Sequence, residues 1–170
     1  MKITILGAGA MGMLFGGYLS VRNDVWLLDV KQQRIDKINR DGVRIREKET
    51  DRVFYPKGVT SCQGLEPMDL VLVFVKAMFT QEALEKNRAL LGPQTYLMTL
   101  QNGVGHEETL LRYTDKAHVI LGMTQHNSSV LDNGYVDHGG AGRTVIGLPE
   151  GDSDVLKPIA EMLSVSGFPC

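Results

Sequence analysis

The apolar run Lys2-Ile3-Thr4-Ile5-Leu6 leads directly into Gly7-Ala8-Gly9-Ala10-Met11-Gly12, and a helical pattern with Met11, Leu14, Phe15, Tyr18 and Leu19 on one face follows. Strand, GxGxxG and helix in that order restrict the chain to a βαβ start. The first glycine permits a tight turn, the second lets a phosphate approach the backbone, and the third lets the helix pack on the strand. Free N–H groups at the helix start then meet the phosphate charge. Gly7, Ala8, Gly9, Ala10, Met11 and Gly12 are therefore expected to line the pyrophosphate of a dinucleotide, the alternative being a glycine-rich turn with no ligand.

The next apolar run, Asp24 to Asp29, ends on an acid about twenty residues beyond the glycines, where a carboxylate accepts from the adenosine ribose hydroxyls. Asp29 favours NAD(H), because a carboxylate repels a 2′-phosphate, while Lys31 offers that phosphate a cation. The cofactor expected is NAD(H) or NADP(H). Asp29 could also cap the helix read over Gln32 to Arg40, where Ile35 and Ile38 share a side.

Further along, Gly42 to Ser61 alternates around the polar Lys48 to Asp51 and predicts a hairpin or irregular excursion. Asp69 to Val75 is an uninterrupted apolar strand of the kind covered on both faces, and Thr80 to Leu91 reads as a helix ended by Gly92-Pro93. Strands at Thr95 to Leu100 and Ala117 to Met123 flank a short helix at Gly105 to Tyr113. Asn133-Gly134 signals a hairpin between antiparallel strands within Ser128 to Gly147, and Asp152 to Val165 returns to helix. The whole predicts one α/β domain over residues 1–170, a Rossmann-type, mostly parallel, doubly wound sheet with a short antiparallel section toward the C-terminus. Ligands then bind along the carboxyl edge of the sheet.

Eighteen basic against 20 acidic residues leave a net charge of −2, without the basic excess that nucleic acid or anionic membranes attract, so neither is an expected partner. Cys62 and Cys170 have no metal-ligand or CxxC spacing, so neither a disulfide framework nor a metal site is expected and a cytoplasmic location is. The N-terminus lacks the pattern of a secretory signal.

Three segments carry a resemblance. KITILGAGAMG (Lys2 to Gly12), VLVFVKA (Val71 to Ala77) and LQNGVGHEETL (Leu100 to Leu110) are similar, in order and spacing, to the cofactor domain of the ketopantoate reductases. GMTQH (Gly122 to His126) and GRTVIG (Gly142 to Gly147) resemble further family segments. The resemblance implies hydride transfer from a nicotinamide to the ketone of 2-dehydropantoate, giving pantoate, a step of pantothenate biosynthesis. It implies that Lys76 sits beside the nicotinamide end and that Asn102 and Gly103 touch the cofactor, Asn102 also the substrate. Ser128 matches a cofactor-contacting position more loosely. Lys76 stands at a helix start, where a cation is electrostatically misplaced unless a ligand needs it.

Members of that family continue into an all-helical domain that carries the general-acid lysine and most substrate contacts. Residues 1–170 lack it, so this chain alone is expected to bind cofactor without turnover. Thr124, Lys116 and Lys157 have no context that makes them a substitute acid, and His126 reads as a core or strand-end histidine. Apolar surface near Met123, Leu148 and Phe168 is expected to be exposed and to favour a homodimer. Two other readings stay open, a stand-alone NAD- or nucleotide-sensing module and the cofactor domain of a 3-hydroxyacid-type dehydrogenase.

Overall fold

The computed structural model describes residues 1–170. In chain order its strands are β1 (Lys2–Leu6), β2 (Asp24–Leu28), β3 (Val43–Glu47), β4 (Thr50–Phe54), β5 (Lys57–Val59), β6 (Leu70–Val73), β7 (Tyr96–Thr99), β8 (Val119–Thr124), β9 (Asn127–Asp132), β10 (Tyr135–Gly140) and β11 (Thr144–Gly147). The helices are α1 (Ala10–Leu19), α2 (Gln32–Asp41), α3 (Thr80–Lys86), α4 (His106–Leu110) and α5 (Lys157–Val165). No helix is long and apolar enough to cross a membrane.

Seven strands form the main sheet in the order β11-β8-β7-β6-β1-β2-β5, parallel throughout except for β11, which runs antiparallel to β8. This is the Rossmann-type arrangement with an antiparallel section read from the sequence. Leu70, Val71, Leu72 and Val73 of β6 are all fully buried, as an uninterrupted apolar strand covered on both faces must be.

A second, four-stranded sheet, β4-β3-β10-β9, was not foreseen. Both of its hairpins were. The β3–β4 hairpin turns at Lys48-Glu49, with Lys48 at φ 54°, and β9–β10 turns at Asn133-Gly134, with Gly134 at φ 74°. What joins them is the parallel pairing of β3 with β10, Ile45 opposite Val136 with both side chains fully buried, and an ion pair from Arg46 to Asp137 at 2.7 Å. Some ninety residues separate the two strands, so no local periodicity records the pairing.

Helix α1 lies between the two sheets. Met13, Leu14, Phe15, Tyr18 and Leu19 share one core with Ile3, Ile5, Val25 and Leu27 of the main sheet and Val43, Ile45, Phe54 and Val136 of the second. The one-faced pattern read for α1 is therefore incomplete, since Gly12 to Leu19 are all buried. Adjacent small residues make this close packing feasible. A Cβ on Gly16 would fall 2.6 Å from Leu27, and one on Gly17 would fall 2.8 Å from Ile45.

Three predicted helices are shorter than read, one of them α4, which spans only His106–Leu110 of the run from Gly105 to Tyr113. The run from Thr80 stops at Lys86 because buried Asn87 turns its amide back onto the Ala83 carbonyl at 2.8 Å, leaving a 3-10 turn at Arg88–Leu90. The last helix begins as a 3-10 turn at Ser153–Leu156, capped by Asp152, and becomes α-helical only from Lys157, where Pro158 supplies no N–H.

Phe168 is not exposed, contrary to expectation. The chain after α5 folds back so that the Thr144 N–H donates to the Pro169 carbonyl at 2.7 Å, and Phe168 is fully buried with its ring stacked on Phe15 at 3.8 Å. Leu148 is partly buried against the same core, while Met123 stays 63% exposed. Phe168→Ala is expected to cost about 3–5 kcal/mol of stability, read as a lower urea midpoint. A loss below about 1 kcal/mol would place Phe168 outside the cooperative core.

Candidate functional site

Four loops leave the carboxyl edge of adjacent parallel strands, and each carries a residue singled out in the sequence. After β1, Gly7 takes φ 101°, and a Cβ there would fall 2.8 Å from the backbone N of Val75. Gly12 sits so close beneath the turn that a Cβ would fall 1.8 Å from the Gly7 carbonyl oxygen. Gly9 differs, because no atom lies within 4 Å of the position its Cβ would take. It is also the N-cap of α1 and supplies no side-chain acceptor, so the first N–H groups of the helix have no side-chain cap. A close turn, a helix start and an empty approach at the middle glycine are what a pyrophosphate requires.

Asp29 follows β2 and is tied to this loop. Its Oδ2 accepts from the Ala8 N–H at 3.0 Å and from Arg34 at 3.0 Å, and its Oδ1 accepts from the Lys31 N–H at 2.9 Å. The ion pair is nearly enclosed, with side-chain exposures of 11% for Asp29 and 13% for Arg34. Arg34 was missed by sequence reading. Its only signal was a second cation beside Lys31 at a helix start that lacks any acid in its first turn. The capping role weighed for Asp29 is present in part, as its bond to the Lys31 N–H.

Lys76 and Asn102 follow β6 and β7, and both are exposed. The side chain that links their loops is Gln101, noted in the sequence only as part of its motif. Its amide Nε2 donates to the Val75 carbonyl, and its Oε1 accepts from Thr99 at 2.9 Å. Thr80, buried with Thr99, lies within hydrogen-bond reach of the same amide. Ahead of it, the Asn102 carbonyl lies 3.1 Å from Nε2 of His106, and Gly103 takes φ 116°. Ser128 stands apart from these loops in the chain's second sheet, where its hydroxyl donates to the Asp137 carbonyl at 2.8 Å.

His126 is 5% exposed and joins a part-buried polar chain with His138, Glu47 and Tyr18. Its Nδ1 lies 3.1 Å from Nε2 of His138, whose Nδ1 reaches Glu47 at 3.3 Å, and the Tyr18 hydroxyl also donates to Glu47. Burial, then the neighbouring His138, lower the pKa of His126. The Tyr18 hydrogen bond, followed by His138, holds Glu47 below the ordinary carboxylate range, although partial burial opposes this. Burial and the Glu47 carboxylate push the Tyr18 phenol well above its usual range. The core role read for His126 matches this placement. No group of three or more His, Cys, Asp or Glu side chains is arranged to hold a metal ion.

Residues 3–151 match the family model described as ketopantoate reductase PanE/ApbA. The chain belongs to the ketopantoate reductase family. It is 35% identical over 170 residues to the 2-dehydropantoate 2-reductase of Pyrococcus horikoshii and 32% identical over 172 residues to that of Lactococcus lactis, in each case across 99% of this chain. Those alignments take in 54% and 55% of the two relatives, so the chain spans about half the length of the curated ketopantoate reductases it matches.

Among solved structures, the 2-dehydropantoate 2-reductase of Geobacter metallireducens superposes with a TM-score of 0.90 at 31% identity, over all of this chain and 57% of that one. D-mandelate dehydrogenase, solved with NADH and anilino(oxo)acetate, superposes with a TM-score of 0.92 at 29% identity, over 99% of this chain and 55% of that one. Membership of the ketopantoate reductase family does not favour the nucleotide-sensing alternative.

The polar chain generates a pH dependence of stability. Because the folded state holds His126 below its usual value of 6.5, the unfolded chain binds more protons just below that pH. The contribution is present above about 6.5 and is lost as the pH falls toward and through the lower folded value. Glu47 adds a second loss as the pH falls from its ordinary 4.5 through its lowered folded value. The urea midpoint is expected to drop between pH 7.5 and 5.5, and less so in His126→Gln. Equal drops in both proteins would refute the assignment.

Proposed function

We propose that residues 1–170 are the cofactor-binding half of a cytoplasmic 2-dehydropantoate 2-reductase, holding NAD(H) or NADP(H) along the carboxyl edge of the main sheet. The observation that carries this is the open position at Gly9 above a helix start, with Asp29 on one side and Lys76 and Asn102 on the other. A dinucleotide laid across the edge has its pyrophosphate at Gly7 to Gly12, its adenosine ribose at Asp29 and its nicotinamide toward Lys76, Asn102 and Gly103. When bound, the reduced nicotinamide supplies a hydride to the ketone of 2-dehydropantoate.

The residues of this chain bind and orient. Lys76 places a cation where negative charge gathers on the ketone oxygen, and the Asn102 amide offers both a donor and an acceptor to the ring carboxamide and the substrate. The lysine that protonates the product oxygen belongs, in this reading, to a following helical domain. The part that residues 1–170 play is to bind and position the cofactor. Met123 and Val145, paired across β8 and β11 and 63% and 58% exposed, are the apolar surface on which a homodimer would form. A different 2-oxo acid is the second reading, favoured by the likeness to D-mandelate dehydrogenase.

Cofactor choice follows from charge. Asp29 alone would repel a 2′-phosphate, but Arg34 neutralises it and Lys31 adds a further cation. Both NAD(H) and NADP(H) are therefore accepted. Arg34→Met is expected to weaken NADP(H) about tenfold more than NAD(H), measured by calorimetry, whereas equal changes would refute the charge-balance argument.

Gly9→Ala tests the site itself. The added methyl meets nothing in the protein, and the residue's φ of −75° suits alanine, so thermal stability should be unchanged. It would occupy the approach of the pyrophosphate, and NADH affinity should fall at least about tenfold, the equivalent of one lost charge-assisted hydrogen bond. A stable variant that binds NADH like the parent would overturn the placement.

A further inference from the structure

We infer that Gln101 is a positioning residue that sets Lys76 and Asn102 at a fixed separation, so that the nicotinamide end of the site depends on one side-chain amide. The inference rests on the proposed dinucleotide site.

The backbone pairing between β6 and β7 ends at Val73 opposite Thr99. Beyond that point parallel strands splay, and the crevice they open is where ligands bind. Lys76 and Asn102 lie three residues past the last pair on either side, with no ladder bond to hold one loop against the other. Gln101 supplies the missing rung. Its Nε2 donates to the carbonyl of Val75, the residue before Lys76, while Gln101 itself is the residue before Asn102. The bond therefore lands one residue from each.

The amide is anchored from behind. Its Oε1 accepts from the Thr99 hydroxyl at 2.9 Å, its own N–H donates to that hydroxyl at 3.2 Å, and the Thr80 hydroxyl lies 3.2 Å from Nε2. Thr80 and Thr99 are each 2% exposed, so these hydroxyls have little solvent to compete for the bonds. Val75 is held from its other side too, because Gly7 packs against its backbone N at a distance that excludes a Cβ. One residue, Val75, thus touches the pyrophosphate turn through its N–H side and the Asn102 loop through its carbonyl, next to Lys76.

Other side chains do not fit this role. Leucine matches glutamine in size but neither donates nor accepts. Glutamate keeps the acceptor and loses the donor that Val75 needs.

The test compares two probes on the full 170-residue chain. NADH reports on the whole site, with its nicotinamide fluorescence as the local signature, and ADP-ribose reports on the adenine and pyrophosphate half alone. In Gln101→Leu and Gln101→Glu, NADH affinity is expected to fall about tenfold and the fluorescence change on binding to disappear, while ADP-ribose affinity stays within about twofold, a shift of only a few tenths of a kcal/mol. Thr99→Val, which removes only the rear anchor, should show the same effect more weakly and keeps a readout if Gln101→Leu does not fold. Parallel losses for both probes would make Gln101 a general structural residue and overturn the inference. Unchanged NADH binding and fluorescence would also overturn it. A parent chain that binds neither probe would instead refute the dinucleotide site and everything resting on it.

Discussion

The structure depends on the enclosure of one ten-residue helix. Helix α1 is buried by the main sheet on one side and the second sheet on the other, and each large side chain removed from water contributes roughly 1.5–3 kcal/mol. That packing is also what aims the helix. Its N-terminus is held at the carboxyl edge of β1, with Gly12 against the Gly7 carbonyl, so the force that builds the core also places the start of the helix at that edge. Phe168 closes the same core from the far end of the chain by stacking on Phe15.

Around that helix start, side-chain bonds take over where the sheet ladder stops. Asp29 joins the loop after β1 to the start of α2, and Gln101 joins the loop after β6 to the loop after β7. Splayed strand ends leave room for a ligand, and a ligand site needs its walls at defined distances. Part-buried amides and carboxylates meet both demands, because they fix separation without closing the crevice. The geometry fits the half of a ketopantoate reductase to which the chain is similar.

Much of this was legible in the residues. Gly7 to Gly12 after an apolar strand identified the turn, Asp29 appeared at the expected distance, and VLVFVKA with LQNGVG marked the next two loops, because each depends on chemistry within a few residues. Asn87 and Pro158 show where local reading falls short. Each shortened a predicted helix by a particular hydrogen bond, made or missing, that periodicity does not register.

The mostly parallel character of the main sheet, the order of most elements along the chain and the glycine-rich turn were determined by the sequence alone, since apolar runs, turn residues and glycine spacing act over short stretches of chain. Tertiary structure decided the second sheet, the burial of Phe168, the neutralisation of Asp29 by Arg34 and the hold of Gln101 on Val75. The physical reason is common to all four. Each is a contact whose partner is chosen by how the folded chain places it in space, across distant elements for the second sheet, Phe168 and Gln101, and by the turn into α2 for Arg34.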